Sequence, residues 1–160
     1  MEKDDPDGVE LHFANAQPMM RSKDSQRLAA RARAVRPFGI VDINKILKPL
    51  LKAYGERIYQ VADQRRRGGN PDDIRPLSVY ILTDGRWDER QYGPEEGILL
   101  LVNTLKEHGL TRRQVGIQFI SFGDDPDALA NMTNLDNMSQ HFGLDKYAHT
   151  LYQDNYYMLT

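Results

Sequence analysis

The chain has 160 residues, a length that suits a single domain with an ordinary hydrophobic core. It carries 21 Lys+Arg against 23 Asp+Glu, and this near-neutral balance argues against a dedicated nucleic-acid binder. The absence of cysteine excludes disulfides, thiolate zinc sites and cysteine nucleophiles. Because the sequence shows neither a membrane-spanning apolar run nor a secretory signal, we expect a cytoplasmic protein that does not contact membranes.

The N-terminal residues predict a lead-in, a strand and a loop. Residues 1–7 are rich in acidic side chains. Val9, Leu11 and Phe13 then alternate with polar residues, and this period of two is typical of a strand at the edge of a sheet. Residues 14–24 have no such pattern, so we expect a loop there.

Two helices are predicted next. Ser25 is placed to cap a short helix over residues 26–35. Asp42 is placed to cap a longer helix, in which apolar residues recur at helical spacing as far as Val61. Pro49 lies inside this second helix and removes one backbone hydrogen-bond donor from it.

The second half of the chain alternates strands and helices. The apolar runs over residues 77–82 and 115–122 predict short strands covered on both faces. Helices are predicted over residues 94–108 and 126–135, each opened by a proline. Strands that alternate with helices imply a parallel α/β sheet with right-handed crossovers.

Four stretches carry motif-like sequences: DGVELHFAN (7–15), PFGIVDI (37–43), SVYILTDG (78–85) and VGIQFISFGD (115–124). In this order they resemble the edge strand, the "P-x-G-x-T" loop, the "TDG" strand and the following strand of the von Willebrand factor A (vWA) domain family. The resemblance implies a Rossmann-like, three-layer αβα fold with a mostly parallel sheet. The first two strands of the family have no counterpart, so the chain resembles a truncated or degenerate member.

On this basis the chain divides into the lead-in at residues 1–7, a partial vWA-like domain at 8–136 and a poorly patterned tail at 137–160. The tail holds at most one short strand, within residues 151–159. The missing strands would leave sheet edges unpaired, so self-association through those edges is one expected consequence.

The resemblance also implies a protein-interaction module, since many members bind a partner carboxylate through Mg²⁺ held by oxygen ligands. Only Asp84, in the "TDG" motif, matches a family ligand. The position of the family's threonine falls on Val41, and the "D-x-S-x-S" strand is absent. We therefore expect an incomplete metal site and no cofactor, with Mg²⁺ bound only if the missing N-terminal ligands are supplied.

The expected partner surface is the set of loops at the carboxyl ends of the strands, where ligands collect in such sheets. Its candidate residues are Asp42, Arg86, Trp87, Asp88, Asp124 and Asp125. Trp87 is a candidate anchor for an unknown protein partner, although it could equally pack back onto the sheet. For Asp84 the competing interpretation is a turn acceptor, and for Asp124 and Asp125 it is helix capping.

Two other functions are compatible with these residues. Asp84, Asp88, Asp124 and Asp125 could serve metal-assisted hydrolysis or phosphoryl transfer in a Rossmann-like enzyme. The sequence shows no nucleophile–base pair and no phosphate-binding glycine loop, so we favour a non-catalytic protein. Residues 21–36 hold six Lys or Arg against one Asp, which suits an acidic partner, a nucleic-acid backbone or, more often, a solvated helix face.

Overall fold

The computed structural model describes residues 7–15, 17–36, 42–87 and 93–141. Its elements, in chain order, are β1 (Val9–Leu11), β2 (Met20–Ser22), α1 (Ser25–Ala34), α2 (Asn44–Arg66), β3 (Leu77–Thr83), α3 (Glu95–Glu107), a 3₁₀ turn (Arg112–Gln114), β4 (Val115–Ser121) and α4 (Pro126–His141). Several predictions fall outside the described residues: most of the acidic lead-in, the family loop with Val41, the candidate Asp88 and the strand within 151–159. None of the helices in the described ranges is both long and apolar enough to cross a membrane.

The N-terminal unit is a small hairpin followed by α1. β1 pairs with β2 in antiparallel fashion, with Val9 opposite Ser22. The predicted strand is therefore present, but residues 20–22 form a second strand where we expected a loop. Three residues are too few for a period of two to be visible in the sequence.

The cap of α1 differs from the prediction. The Asp24 carboxylate accepts from the backbone N–H groups of Gln26, at 2.9 Å, and Arg27, at 3.2 Å. Asp24 rather than Ser25 is therefore the N-cap, and α1 begins at Ser25. The two residues are adjacent and both are good caps, so sequence preference does not separate them.

The second unit is built on a two-stranded parallel sheet. β3 pairs with β4 from Leu77 opposite Val115 to Thr83 opposite Ser121, and α3 makes the crossover between them. The buried core is contributed by three helices and β4: Leu47, Leu51 and Ile58 of α2, Ile98, Leu101, Val102 and Leu105 of α3, Val115, Ile117 and Phe119 of β4, and Met132 and Leu135 of α4. The mixed α/β class and the parallel pairing are thus confirmed.

Among the residues that the structure describes, helices cover one face of the sheet, whereas the sequence predicts strands covered on both faces. Along β3, Leu77, Val79 and Ile81 pack against the core, whereas Tyr80 and Leu82 are 52% and 68% exposed. Successive side chains of a strand point to opposite faces, and the described helices bury the face of the first set. A three-layer arrangement is therefore not confirmed.

The long predicted helix is confirmed as α2, but its N-cap is Ile43, which makes no side-chain cap bond, rather than the predicted Asp42. The Asp42 carboxylate accepts from the backbone N–H of Asn44 at 3.0 Å, and the Asn44 side chain donates to the carbonyl of Gly93 at 3.0 Å. Pro49 lies inside the helix on its exposed side. The contact with Gly93 places the beginning of α2 beside that of α3.

Tyr54 holds together the segments that lead into the two strands. Its hydroxyl donates to the carbonyl of Arg75 at 2.7 Å and accepts from the Gln114 side chain at 2.6 Å. Gln114 also donates to the carbonyl of Ile74 at 2.9 Å. Burial raises the pKa of the Tyr54 phenol. The amino ends of β3 and β4 are thereby fixed against α2, and the carboxyl ends carry the loops of interest.

Candidate functional site

Two of the predicted partner loops, those that follow β3 and β4, meet at the carboxyl edge of the sheet. The strands are parallel, so the segments after Thr83 and Ser121 leave the sheet at the same edge. The backbone N–H of Phe122 donates to the carbonyl of Thr83 at 2.9 Å and extends the pairing by one residue. The loop after β3 therefore lies directly beside the loop after β4.

The loop after β3 is a tight turn centred on Gly85. The Thr83 hydroxyl accepts from the Gly85 N–H at 3.0 Å, and the exposed Asp84 carboxylate accepts from the Arg86 N–H at 3.1 Å. Gly85 has φ +77°, in the left-handed region that favours glycine. Asp84 therefore acts as a turn acceptor, which is the alternative to a role as metal ligand.

The loop after β4 ends in the cap of α4. One Asp125 oxygen accepts from the N–H groups of Asp127 and Ala128, both at 3.1 Å, so the predicted capping role is confirmed for this residue. The other Asp125 oxygen forms an ion pair with the Arg86 guanidinium. The hydrogen bond from Ala128, followed by Arg86, lowers the pKa of Asp125, and the same ion pair raises the pKa of Arg86.

Close backbone packing also joins the two loops. A Cβ at Gly85 would lie 2.9 Å from the Cβ of Ala128, so the turn rests directly on the first turn of α4. The Asn131 side chain donates to the carbonyl of Gly85 at 3.1 Å. Sequence reasoning did not identify Ala128 or Asn131, because neither type is distinctive on a helix.

Trp87, the candidate anchor, packs inward. Its half-buried ring meets that of Phe119 edge to face, with centroids 6.3 Å apart and an interplanar angle of 67°. Of the two predicted positions of this side chain, exposed as an anchor or packed onto the sheet, the structure shows the packed one. The indole therefore supports the turn that carries Asp84 and Arg86.

The candidate residues that the structure describes lie in two places. Arg86 and Asp125 are in direct contact, and Asp84 is tied to the backbone of Arg86. Asp124 is exposed beside them, whereas Asp42 is at the beginning of α2. Arg86, Asp125 and Asp84 thus lie together at the carboxyl edge of the sheet.

This arrangement is better suited to holding a guanidinium than a metal ion. Within the described ranges, no three His, Cys, Asp or Glu side chains are grouped as a metal site would need. Both Asp125 oxygens already accept from the α4 backbone or from Arg86, so a cation there would compete with the cap and the ion pair. A scan against protein-family models, a search of the curated proteins and a search of the solved structures each give no match.

Proposed function

We propose that this chain is a non-catalytic protein-interaction module, a degenerate vWA-like domain that binds its partner through the carboxyl edge of the sheet. The observation that carries the proposal is the Arg86–Asp125 ion pair, which joins loops from two neighbouring strands into one surface. Binding surfaces are more effective when they are held in place before the partner arrives. Gly85 resting on Ala128 and Trp87 packed on Phe119 supply that rigidity.

The charge of this surface indicates the chemistry of the partner. Three exposed carboxylates surround the pair, those of Asp84, Asp124 and Asp127. The charge of Arg86 is balanced by its ion pair with Asp125. The exposed charge is therefore negative, and a segment rich in Lys or Arg is its electrostatic complement. Exposed charges of this kind act mainly on the association rate and are screened by salt.

Binding in this way needs no metal ion. In the vWA resemblance a divalent cation supplies positive charge at the top of the sheet, whereas here the guanidinium of Arg86 lies between the loops. The Arg86 guanidinium is covalently part of the chain, so the two loops stay joined at any magnesium concentration. Chelation is expected to have no effect on partner binding.

Site-specific photo-crosslinking tests the proposal. A benzophenone amino acid replaces the exposed Asp124. The control position is Tyr59 of α2, which is 45% exposed. The Tyr59 hydroxyl donates a hydrogen bond to Glu107 at the end of α3, away from the loops. In cells that express the full chain, we expect a discrete protein adduct from position 124 that resists EDTA and is absent from position 59.

A charge-reversal pair completes the experiment. Asp127→Lys is expected to lower the yield of the adduct, whereas Asp72→Lys, an equally exposed change in the loop before β3, leaves it unchanged. Adducts of equal yield from positions 124 and 59, or an adduct lost on chelation, would contradict the proposed mode of binding.

A further inference from the structure

An exposed apolar patch lies on the sheet face that the described helices leave uncovered. Tyr80, Leu82 and Phe122 are 52%, 68% and 45% exposed. Ile120 lies opposite Leu82 in the strand register, and successive side chains of β4 alternate, so it is on the face away from the buried Phe119. We call these four side chains the apolar patch. Parallel strands are normally buried on both faces, which makes such a patch unusual.

The patch borders the candidate site. The amino half of the same face is polar, with Ser78, Gly116 and Gln118, so the apolar patch is confined to the carboxyl half. Leu82 is two residues before the exposed Asp84, and Phe122 is two residues before the exposed Asp124. An exposed apolar surface that is bordered by polar groups is typical of a protein-interaction site.

The acidic border restricts what can cover the patch. A wholly apolar partner would take water away from Asp84 and Asp124 without supplying a counter-charge, which is strongly unfavourable for a carboxylate. The phosphates of nucleic acids and of anionic lipids carry the same sign of charge as the border and are repelled by it. A protein segment with a Lys or Arg beside an apolar side chain satisfies both surfaces.

Strand geometry sets the spacing within such a segment. Two residues of strand extend about 7 Å, which separates the backbone positions of Leu82 and Asp84. A partner covers this distance with two residues of extended chain or with one turn of helix. Building on the proposed function, we propose that the partner docks through an amphipathic basic segment. Its apolar side chain lies on the apolar patch, and a Lys or Arg within four positions of it pairs with Asp84 or Asp124.

A peptide selection tests this pairing of chemistries. Phage-displayed random dodecapeptides are selected on the full chain, and enriched peptides are expected to carry an apolar residue within four positions of a Lys or Arg. Synthetic copies should bind Leu82→Ser about tenfold more weakly than the wild type, because the apolar contact is lost. Leu100→Ser, at a leucine of α3 that is 54% exposed, is the matched control and should change the affinity less than twofold. Both leucines are exposed, so neither change is expected to unfold the protein.

The possible results separate this inference from the proposed function. Basic peptides that bind Leu82→Ser as tightly as the wild type would overturn the inference and leave the proposed function in place. Enriched peptides without an excess of Lys or Arg, or no enriched peptide at all, would overturn both. Dimers of the wild-type chain, or its binding to phosphatidylserine vesicles, would also overturn the inference if Leu82→Ser abolished them, because a second copy or a lipid surface would then cover the patch.

Discussion

Gly85 combines two constraints that only glycine meets. Its φ of +77° is in the left-handed region, and a Cβ there would lie 2.9 Å from the Cβ and 3.0 Å from the carbonyl oxygen of Ala128. Gly68, after α2, has nearly the same φ, +82°, with nothing within 4 Å of the position of a Cβ. A comparison of the two glycines therefore separates the free-energy cost of the left-handed conformation from that of the contact with Ala128.

Gly85→Ala is accordingly expected to destabilise the protein more than Gly68→Ala. The left-handed conformation costs about 1 kcal/mol at either position, and overpacking against α4 adds about 1–3 kcal/mol at Gly85 alone. Urea denaturation of the two variants measures the difference. Equal losses of unfolding free energy would show that the turn does not rest closely on Ala128.

At the same scale, the sequence identified the Asp125 cap because its signal is local, an aspartate followed by proline. It could not identify the ion pair of Asp125 with Arg86, residues 39 apart in the chain. That contact depends on the register of β3 with β4 and on the tight turn at Gly85. The inward position of Trp87 also depends on a distant residue, since its ring packs on Phe119 of β4.

At the scale of elements, the long amphipathic helices were the most predictable. α2 and α3 repeat apolar residues over three or more turns, which gives a strong signal. β2 has three residues and gives none, and the apolar run of β3 cannot report which of its faces is covered. Coverage is a property of the elements packed around a strand, so the sequence of the strand alone leaves it open.

The cap of α1 gives a prediction at this scale. Asp24→Ala is expected to loosen the helix by about 1 kcal/mol, because two first-turn N–H groups lose their acceptor. Amide hydrogen exchange at Gln26 and Arg27 should quicken about fivefold. Ser25→Ala is the control and is expected to leave these exchange rates unchanged. Faster exchange in Ser25→Ala than in Asp24→Ala would mean that Ser25 is the cap.

At the scale of the whole molecule, the two units have unequal cores. α1 has no buried residue, and Arg31 lies over the Phe13 ring at 5.3 Å. An ion pair between Asp7 and Arg75 links this unit to the segment before β3. The second unit, by contrast, buries Phe119, Leu51, Ile58, Leu105 and Leu135 almost completely.

This inequality predicts local unfolding of the N-terminal unit. Amides of β1, β2 and α1 are expected to exchange through an opening that costs less free energy than the opening of β4 and α3. Native-state hydrogen exchange at increasing urea measures both. Arg75→Gln, which removes the link, should leave the protection of β4 unchanged, and a common opening energy for all the strands would contradict this prediction.

The opposite directions of the two strand pairs give them different resistance to a pulling force. Tension along the chain acts on β3 at Leu77 and on β4 at Ser121, so these parallel strands slide past each other and load all of their hydrogen bonds together. The same tension enters the hairpin at Val9 and Ser22, which are opposite each other, and breaks its bonds one after another. Under load the hairpin therefore opens first, and it lengthens the chain before the β3–β4 pair yields.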